Sequence, residues 1–174
     1  MPCFVELRTS RLHLTAISIV DLDDFHDLHS DPELYERAPE ARYPDVEHSR
    51  SVIEGYEHDW ESVGLGYWTI RTPGGDYVGT GGVRRSDDVG ATWNVYYRLK
   101  KSAWGRGYAA EVIRAAAPYA EALEEGAILQ AVMRPWNPAS EAVAKKLGMA
   151  FCGSRLDHAD VEELVYQIPA ADLS

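Results

Sequence analysis

Trp104-Gly105-Arg106-Gly107-Tyr108-Ala109-Ala110-Glu111 decides how this chain is read. Two glycines and two alanines stand where a strand near residues 93–99 hands over to an alanine-rich helix. Small residues let the backbone crowd against a ligand, and a helix start offers unpaired N–H groups and the positive end of a dipole. The natural ligand of such a turn is a phosphate or pyrophosphate. A P-loop is excluded, because no Gly-Lys-Ser/Thr follows the glycines. Gly105-Arg106-Gly107-Tyr108-Ala109-Ala110 does fit G-x-G-x-x-A, a dinucleotide fingerprint. That fingerprint asks for a strand directly before the glycines and an acid at the end of the next strand. Here residues 100–103 intervene, and the next strand, near residues 127–133, ends in Arg134, a residue suited to a 2′-phosphate. On the turn alone, an NADP-linked oxidoreductase stays open.

At 174 residues the chain reads as a single domain spanning 1–174, with an apolar fraction of 45% and a charged fraction of 26% that are ordinary for a globular protein. No apolar run approaches the roughly 20 residues of a membrane span. The start, Met1-Pro2-Cys3-Phe4-Val5-Glu6, lacks the basic segment and apolar core of a signal peptide, so the expected location is cytoplasmic. Cys3 and Cys152 are too few for a disulfide framework, and Cys152, in an apolar run, is expected to be a small core residue. The histidines are scattered without H-E-x-x-H spacing, so no metal is expected. A net charge of −11 opposes salt-driven binding to nucleic acid and docking on anionic lipid. It favours a cationic partner, such as an amine or a basic peptide.

Working outward from the turn, residues 67–71, 77–85 and 92–99 alternate as strands and are punctuated by Pro73-Gly74-Gly75-Asp76 and Ser86-Asp87-Asp88-Val89-Gly90, the pattern of an antiparallel meander. Upstream, Leu12-His13-Leu14-Thr15-Ala16-Ile17 is a strand. A short helix runs from Asp21 to the Asp31-Pro32 stop. A second helix opens at Asp45 or Glu47 and ends at Gly64-Leu65-Gly66, with Val46, Ile53, Tyr56 and Trp60 on its expected buried face. Downstream of the turn, a helix reaches about Leu123 with Pro118 inside it, and a strand over residues 127–133 follows. Asn137 as N-cap, Pro138 as N1 and Gly148 as the stop define the next helix. A closing hairpin covers residues 149–154 and 161–168.

This order, β-α-α-β-β-β-α-β-α-β-β, with the glycine turn after the fourth strand, resembles the GNAT acetyltransferase superfamily. Three stretches look like its RimJ/RimL-type branch. They are Leu7-Arg8-Thr9-Ser10-Arg11-Leu12-His13-Leu14, the Trp104 to Glu111 stretch, and Asn137-Pro138-Ala139-Ser140 with Lys146-Leu147-Gly148-Met149. The resemblance implies a mixed α+β fold, a mostly antiparallel seven-stranded sheet flanked by about four helices. It implies acetyl-CoA as co-substrate, its pyrophosphate on the backbone of Gly105, Arg106, Gly107, Tyr108 and Ala109 beside Trp104. Its pantetheine arm would pair with the strand of Tyr97 and Leu99, which splays from the strand of Val132, and would touch Asn137. Trp104 is expected to pack rather than touch phosphate, and Arg106 to supply a cation to the diphosphate.

The implied reaction is direct acetyl transfer to a primary amine, a protein N-terminus or a small molecule. It needs a neutral amine, donors for the thioester oxygen and a proton for the leaving thiolate. By resemblance Ser140 would serve the thiolate. Asn94 stands where many relatives carry a basic glutamate; it cannot be a base but could position a water or the amine. Asp87, Asp88, Glu57 and His58 are the remaining candidates for the base. The acceptor pocket is expected between residues 24 and 60, with Tyr35, Tyr43, Tyr56 and Trp60 as walls and Glu33, Glu36, Glu40 and Glu57 available to a cation. Asn94 also keeps open an acyl-CoA-binding regulatory protein on the same fold. Exposed strand edges at the C-terminal hairpin would allow a homodimer.

Overall fold

The computed structural model describes residues 5–86 and 90–173. In chain order they form β1 (Glu6–Arg8), β2 (His13–Ala16), α1 (Leu22–Ser30), α2 (Val46–Val63), β3 (Tyr67–Arg71), β4 (Tyr77–Arg85), β5 (Thr92–Leu99), α3 (Tyr108–Leu123), β6 (Ile128–Met133), α4 (Pro138–Lys146), β7 (Ala150–Leu156) and β8 (Glu162–Pro169). The strands make one sheet in the order β1-β2-β3-β4-β5-β6-β8-β7. Every neighbouring pair is antiparallel except β5 with β6.

Seven strands were expected, and the described residues form eight. The added one, β1, is only Glu6-Leu7-Arg8, too short to show alternation, and is folded back on β2 by a turn that Thr9 N–H closes on Leu12 C=O at 2.9 Å. A dinucleotide fingerprint needs a parallel, doubly wound sheet. One parallel pair in an otherwise antiparallel sheet overturns the NADP reading.

Local chemistry sets the helix boundaries. Asp45 caps α2 by accepting from His48 N–H at 2.8 Å, and Gly64, at φ 84°, turns the chain out of it. Val46 is 39% exposed rather than buried; Ser49 and Ile53 carry the buried stripe. α3 runs as one helix through Pro118.

Alternation along the strands splits the sheet into two faces. Trp68, Ile70, Val83, Trp93, Val95 and Leu129 join the main core, together with the alanines and aliphatics of α3. On the opposite face Tyr67, Asn94, Tyr96, Arg98 and Gln130 look toward α1 and α2, where a smaller core gathers Ile17, Leu22, Phe25 and Ile53. Cys152 is exposed, not a core residue, because β7 is the edge strand and buries almost none of its side chains. No helix among the described residues is long and apolar enough to cross a membrane.

Candidate active site

The glycine turn is built as a cradle. Gly105 and Gly107 hold φ of 72° and 77°, a conformation L side chains rarely adopt. Glu111 N–H is bonded back to Gly107 C=O at 3.2 Å. The N–H groups of Tyr108, Ala109 and Ala110, in the first turn of α3, therefore have no intrahelical acceptor. A Cβ on Gly107 would stand 3.1 Å from Lys146 Nζ and 3.8 Å from an Arg11 guanidinium nitrogen, so two cations flank the helix start. A Cβ on Gly105 would meet open space. Free N–H groups, left-handed glycines and flanking cations together suit a diphosphate.

The N-terminal motif braces this cradle. Arg11 donates through Nε to Glu111 at 2.8 Å and through Nη1 to the Arg106 carbonyl at 2.8 Å, while its guanidinium lies 4.9 Å over the Tyr108 ring. Thr9 Oγ also donates to Glu111. Burial pushes the Glu111 carboxyl up, but hydrogen bonds from Thr9 and Arg11 and the Arg11 charge outweigh it and hold the group below the usual carboxylate range. Glu111 is thus a structural tie. Arg106 has its side chain exposed. Trp104 is 56% exposed and donates its indole N–H to Leu99 C=O at 2.9 Å, which keeps it beside the cradle rather than over it.

Directly before the cradle the sheet opens. β5 and β6 pair only from Thr92 to Asn94 against Ile128 to Gln130. Ser86 N–H bonds Thr92 C=O at 2.8 Å and Lys100 N–H bonds Val78 C=O at 3.0 Å, so the even-numbered residues of β5 turn their backbone toward β4. Tyr97 and Leu99 therefore aim theirs at β6, past the point where pairing stops. On the other bank Ile128 N–H bonds Ala91 C=O at 2.7 Å, which by the same alternation aims the Val132 backbone into the gap. The start of α4 lies at this gap: Asn137 Oδ1 accepts from Ser140 N–H at 3.1 Å, and the Ser140 hydroxyl hydrogen-bonds the Tyr97 phenol. Tyr97, Leu99, Asn137 and Ser140 are thus brought together, with the cradle next along the chain. Asn94 sits at the crotch of the gap on the opposite face, where its Nδ2 donates to the Tyr67 hydroxyl at 2.8 Å. A cleft of about 190 Å³ opens there, lined in part by Tyr67, Arg84, Asn94 and Gln130.

The α1/α2 side of the gap carries residues that the sequence alone did not single out. His29 donates Nδ1–H to Phe25 C=O at 2.8 Å, which fixes its tautomer and leaves Nε2 to accept from the Tyr96 hydroxyl at 2.8 Å. Burial pushes the His29 imidazole down to about 4, with the Arg98 charge adding to the shift. The Arg98 guanidinium lies 4.4 Å over the Tyr35 ring and hydrogen-bonds the Tyr96 phenol. Burial pushes Tyr35 up to about 12 and Tyr43, Tyr56 and Tyr67 well above the ordinary phenol range. Tyr35, Tyr43 and Tyr56 do wall this region. Trp60 does not: it packs on Trp68 at 5.5 Å.

The expected carboxylates are engaged elsewhere or exposed. Glu33 pairs with Lys101 at 2.9 Å, with Glu36 at 4.0 Å from the same ammonium. Glu57 accepts from Ile19 N–H at 2.9 Å, and Glu40 and His58 are exposed. Asp87 and Asp88 lie outside the described residues. No sequence signal pairs His29 with Tyr96, because the two are 67 residues apart and meet only through the packing of α1 on the sheet.

Residues 11–150 match the acetyltransferase (GNAT) domain family. The fold is similar to an acetyltransferase of Agrobacterium tumefaciens strain C58 at 27% identity and TM-score 0.75, over 97% of this chain and 94% of that one. It is similar to a GNAT-family acetyltransferase of Bordetella pertussis at 18% identity and TM-score 0.78, over 93% and 98%. It is also similar to the spermidine N-acetyltransferase of Vibrio cholerae, solved with CoA and spermine, at 13% identity and TM-score 0.75, over 95% and 99%. No curated protein matches the sequence. A sheet that opens between its one parallel pair, a glycine cradle just beyond the opening and a family match over most of the chain agree, and the chain belongs to the GNAT acetyltransferase family.

Proposed function

We propose that the protein is an N-acetyltransferase of the RimJ/RimL-like branch, moving the acetyl group of acetyl-CoA to a primary amine by direct attack. The observation that carries this reading is the opening between β5 and β6, with the phosphate cradle at one end and a polar, tyrosine-rich region on its α1/α2 side. Acetyl-CoA supplies the activated thioester. The backbone from Gly105 to Ala109, with Lys146 and Arg11 beside it, holds the diphosphate. The exposed Arg106 side chain adds a third cation in reach of the same anion. The open backbone edge of Tyr97, with the N–H of Leu99 whose carbonyl is held by Trp104, binds the pantetheine arm as an added strand would and offers N–H groups to the carbonyl oxygen. Asn137 shapes the α4 end of the same channel.

Ser140, hydrogen-bonded to Tyr97, gives a proton to the leaving thiolate and regains one from solvent, while the proton shed by the attacking amine passes to water. On the amine side, Tyr96 donates to neutral His29, accepts from Arg98 and keeps its remaining oxygen lone pair for an N–H of the acceptor. Asn94, held by Tyr67, positions the amine at the crotch of the gap. The His29–Tyr96 pair favours an enzyme over a purely acyl-CoA-binding protein, since a sensor has no need of a polar pair on the acceptor side. In a test with acetyl-CoA and a panel of small amines, N-terminal peptides and aminoglycosides, amine-dependent release of free thiol is expected. Ser140→Ala should lower kcat by about 100-fold with little change in KM for acetyl-CoA. Binding of coenzyme A without thiol release across the panel would favour the regulatory reading instead.

A further inference from the structure

Arg98 is out of keeping with the other arginines of the sheet. Arg71 is shared by Asp21 and Asp24 at 3.0 Å each, Arg84 meets Asp59 at 2.6 Å, and Arg85 meets Glu124 at 2.8 Å. Arg98, half-buried beneath α1, has no carboxylate partner among the described residues, and its Nε is buried without an acceptor. What surrounds it is phenol: the face of Tyr35, the hydroxyl of Tyr96 and, near enough to feel its charge, Tyr43. Burial keeps those phenols protonated, so they supply dipoles and π faces but no countercharge. A desolvated cation left without its counterion is costly, and a sequence that pairs its other sheet arginines leaves this one open.

The place of this opening matters. Arg98 projects from the same face of β5 as Asn94 and Tyr96, one residue from the Tyr97 and Leu99 backbone that borders the gap. An amine held by Asn94 and Tyr96 would lie on the face from which the Arg98 side chain projects. A guanidinium presents a planar fork that matches a carboxylate with two parallel N–H donors. Arg98 is also the cation acting on Tyr35, Tyr43 and Tyr96, and one positive group suits the single charge of a carboxylate better than the double charge of a phosphate.

Resting on the acetyltransferase reading, we propose that the acceptor is an amine with a carboxylate close to it, as in a free amino acid, and that the open guanidinium of Arg98 receives that carboxylate. The acidic surface of the protein then has no part in holding the acceptor. Specificity lies in one buried positive group inside a net negative molecule.

The test compares free L-amino acids with the α-carboxamide of each, in two ways. One is acetyl transfer at saturating acetyl-CoA; the other is calorimetric binding to the CoA-saturated protein. The acids should be preferred over the amides by about 100-fold in the wild type. Arg98→Gln should erase that preference by weakening the acids alone, and Arg98→Lys should keep part of it. Equal handling of acids and amides by the wild type overturns the proposal, as does absence of acid binding or an Arg98→Gln loss that falls equally on both. The wild-type comparison and Arg98→Lys decide the matter even should Arg98→Gln fail to fold. Acetylation of amines without regard to a carboxylate would sink the Arg98 role and leave the transferase standing. Arg98-dependent binding of acids with no acetyl transfer would do the reverse.

Discussion

His29 is fully buried, neutral and bonded at both ring nitrogens, and that makes its protonation expensive. Its pKa falls from the model-peptide 6.5 to about 4 on folding. Between those values the unfolded chain binds a proton that the folded chain refuses, so stability is complete above pH 6.5 and declines as pH falls toward 4. A shift of this size corresponds to about 3 kcal/mol. The melting temperature should therefore drop across that window, before the carboxylates titrate, and His29→Gln should flatten the drop. A wild-type profile that stays level from pH 6.5 to 5 would contradict this account of His29. Gly107 makes a second residue-scale case. Alanine there would carry left-handed strain of roughly 1–2 kcal/mol and press a methyl toward Lys146. Gly107→Ala should weaken coenzyme A binding by at least about tenfold in titration calorimetry.

At the scale of elements, the first turn of α3 is a joint between three distant segments. Glu111 receives Thr9 and Arg11 from the β1–β2 turn, Arg11 also holds the Arg106 carbonyl, and Lys146 arrives from the end of α4. Removing the carboxylate by Glu111→Ala strands Arg11 and Thr9 and should cost about 1–3 kcal/mol of stability. It should also weaken coenzyme A binding several-fold without altering the acceptor preference, which calorimetry and the acid/amide comparison would show. The sequence already carried this joint in its three motif stretches, though not the contacts between them. The glycine turn was legible because left-handed backbone leaves glycine as its mark, and the start of α4 because Asn137 and Pro138 are written locally. The buried face of α2 was read less well: Val46 lies in the first turn, beyond the reach of the core, and Ser49 takes its place. β1 is too short to show any period, and the exposure of Cys152 depends on which strand ends the sheet.

For the whole molecule, the sheet separates two jobs. Its α3 face is an apolar core, which the proposed function makes the support of the donor channel, and its α1/α2 face is a polar, aromatic region, which the same proposal gives to the acceptor. Donor chemistry is local in sequence and could be read from it. The proposed acceptor side is not: His29, Tyr35, Asn94, Tyr96 and Arg98 come from a helix, a loop and a strand that meet only after folding, and a net charge of −11 pointed toward a cationic acceptor while this region holds a cation with no carboxylate partner among the described residues. Global charge reports the surface, whereas specificity is set by a few desolvated groups. The most direct measurement is acceptor-dependent release of thiol from acetyl-CoA, with the acetylated product identified by mass. The account expects release that requires an amine and falls about 100-fold in Ser140→Ala. Tight binding of coenzyme A with no amine-dependent release, across acids, amides and polyamines alike, would contradict it.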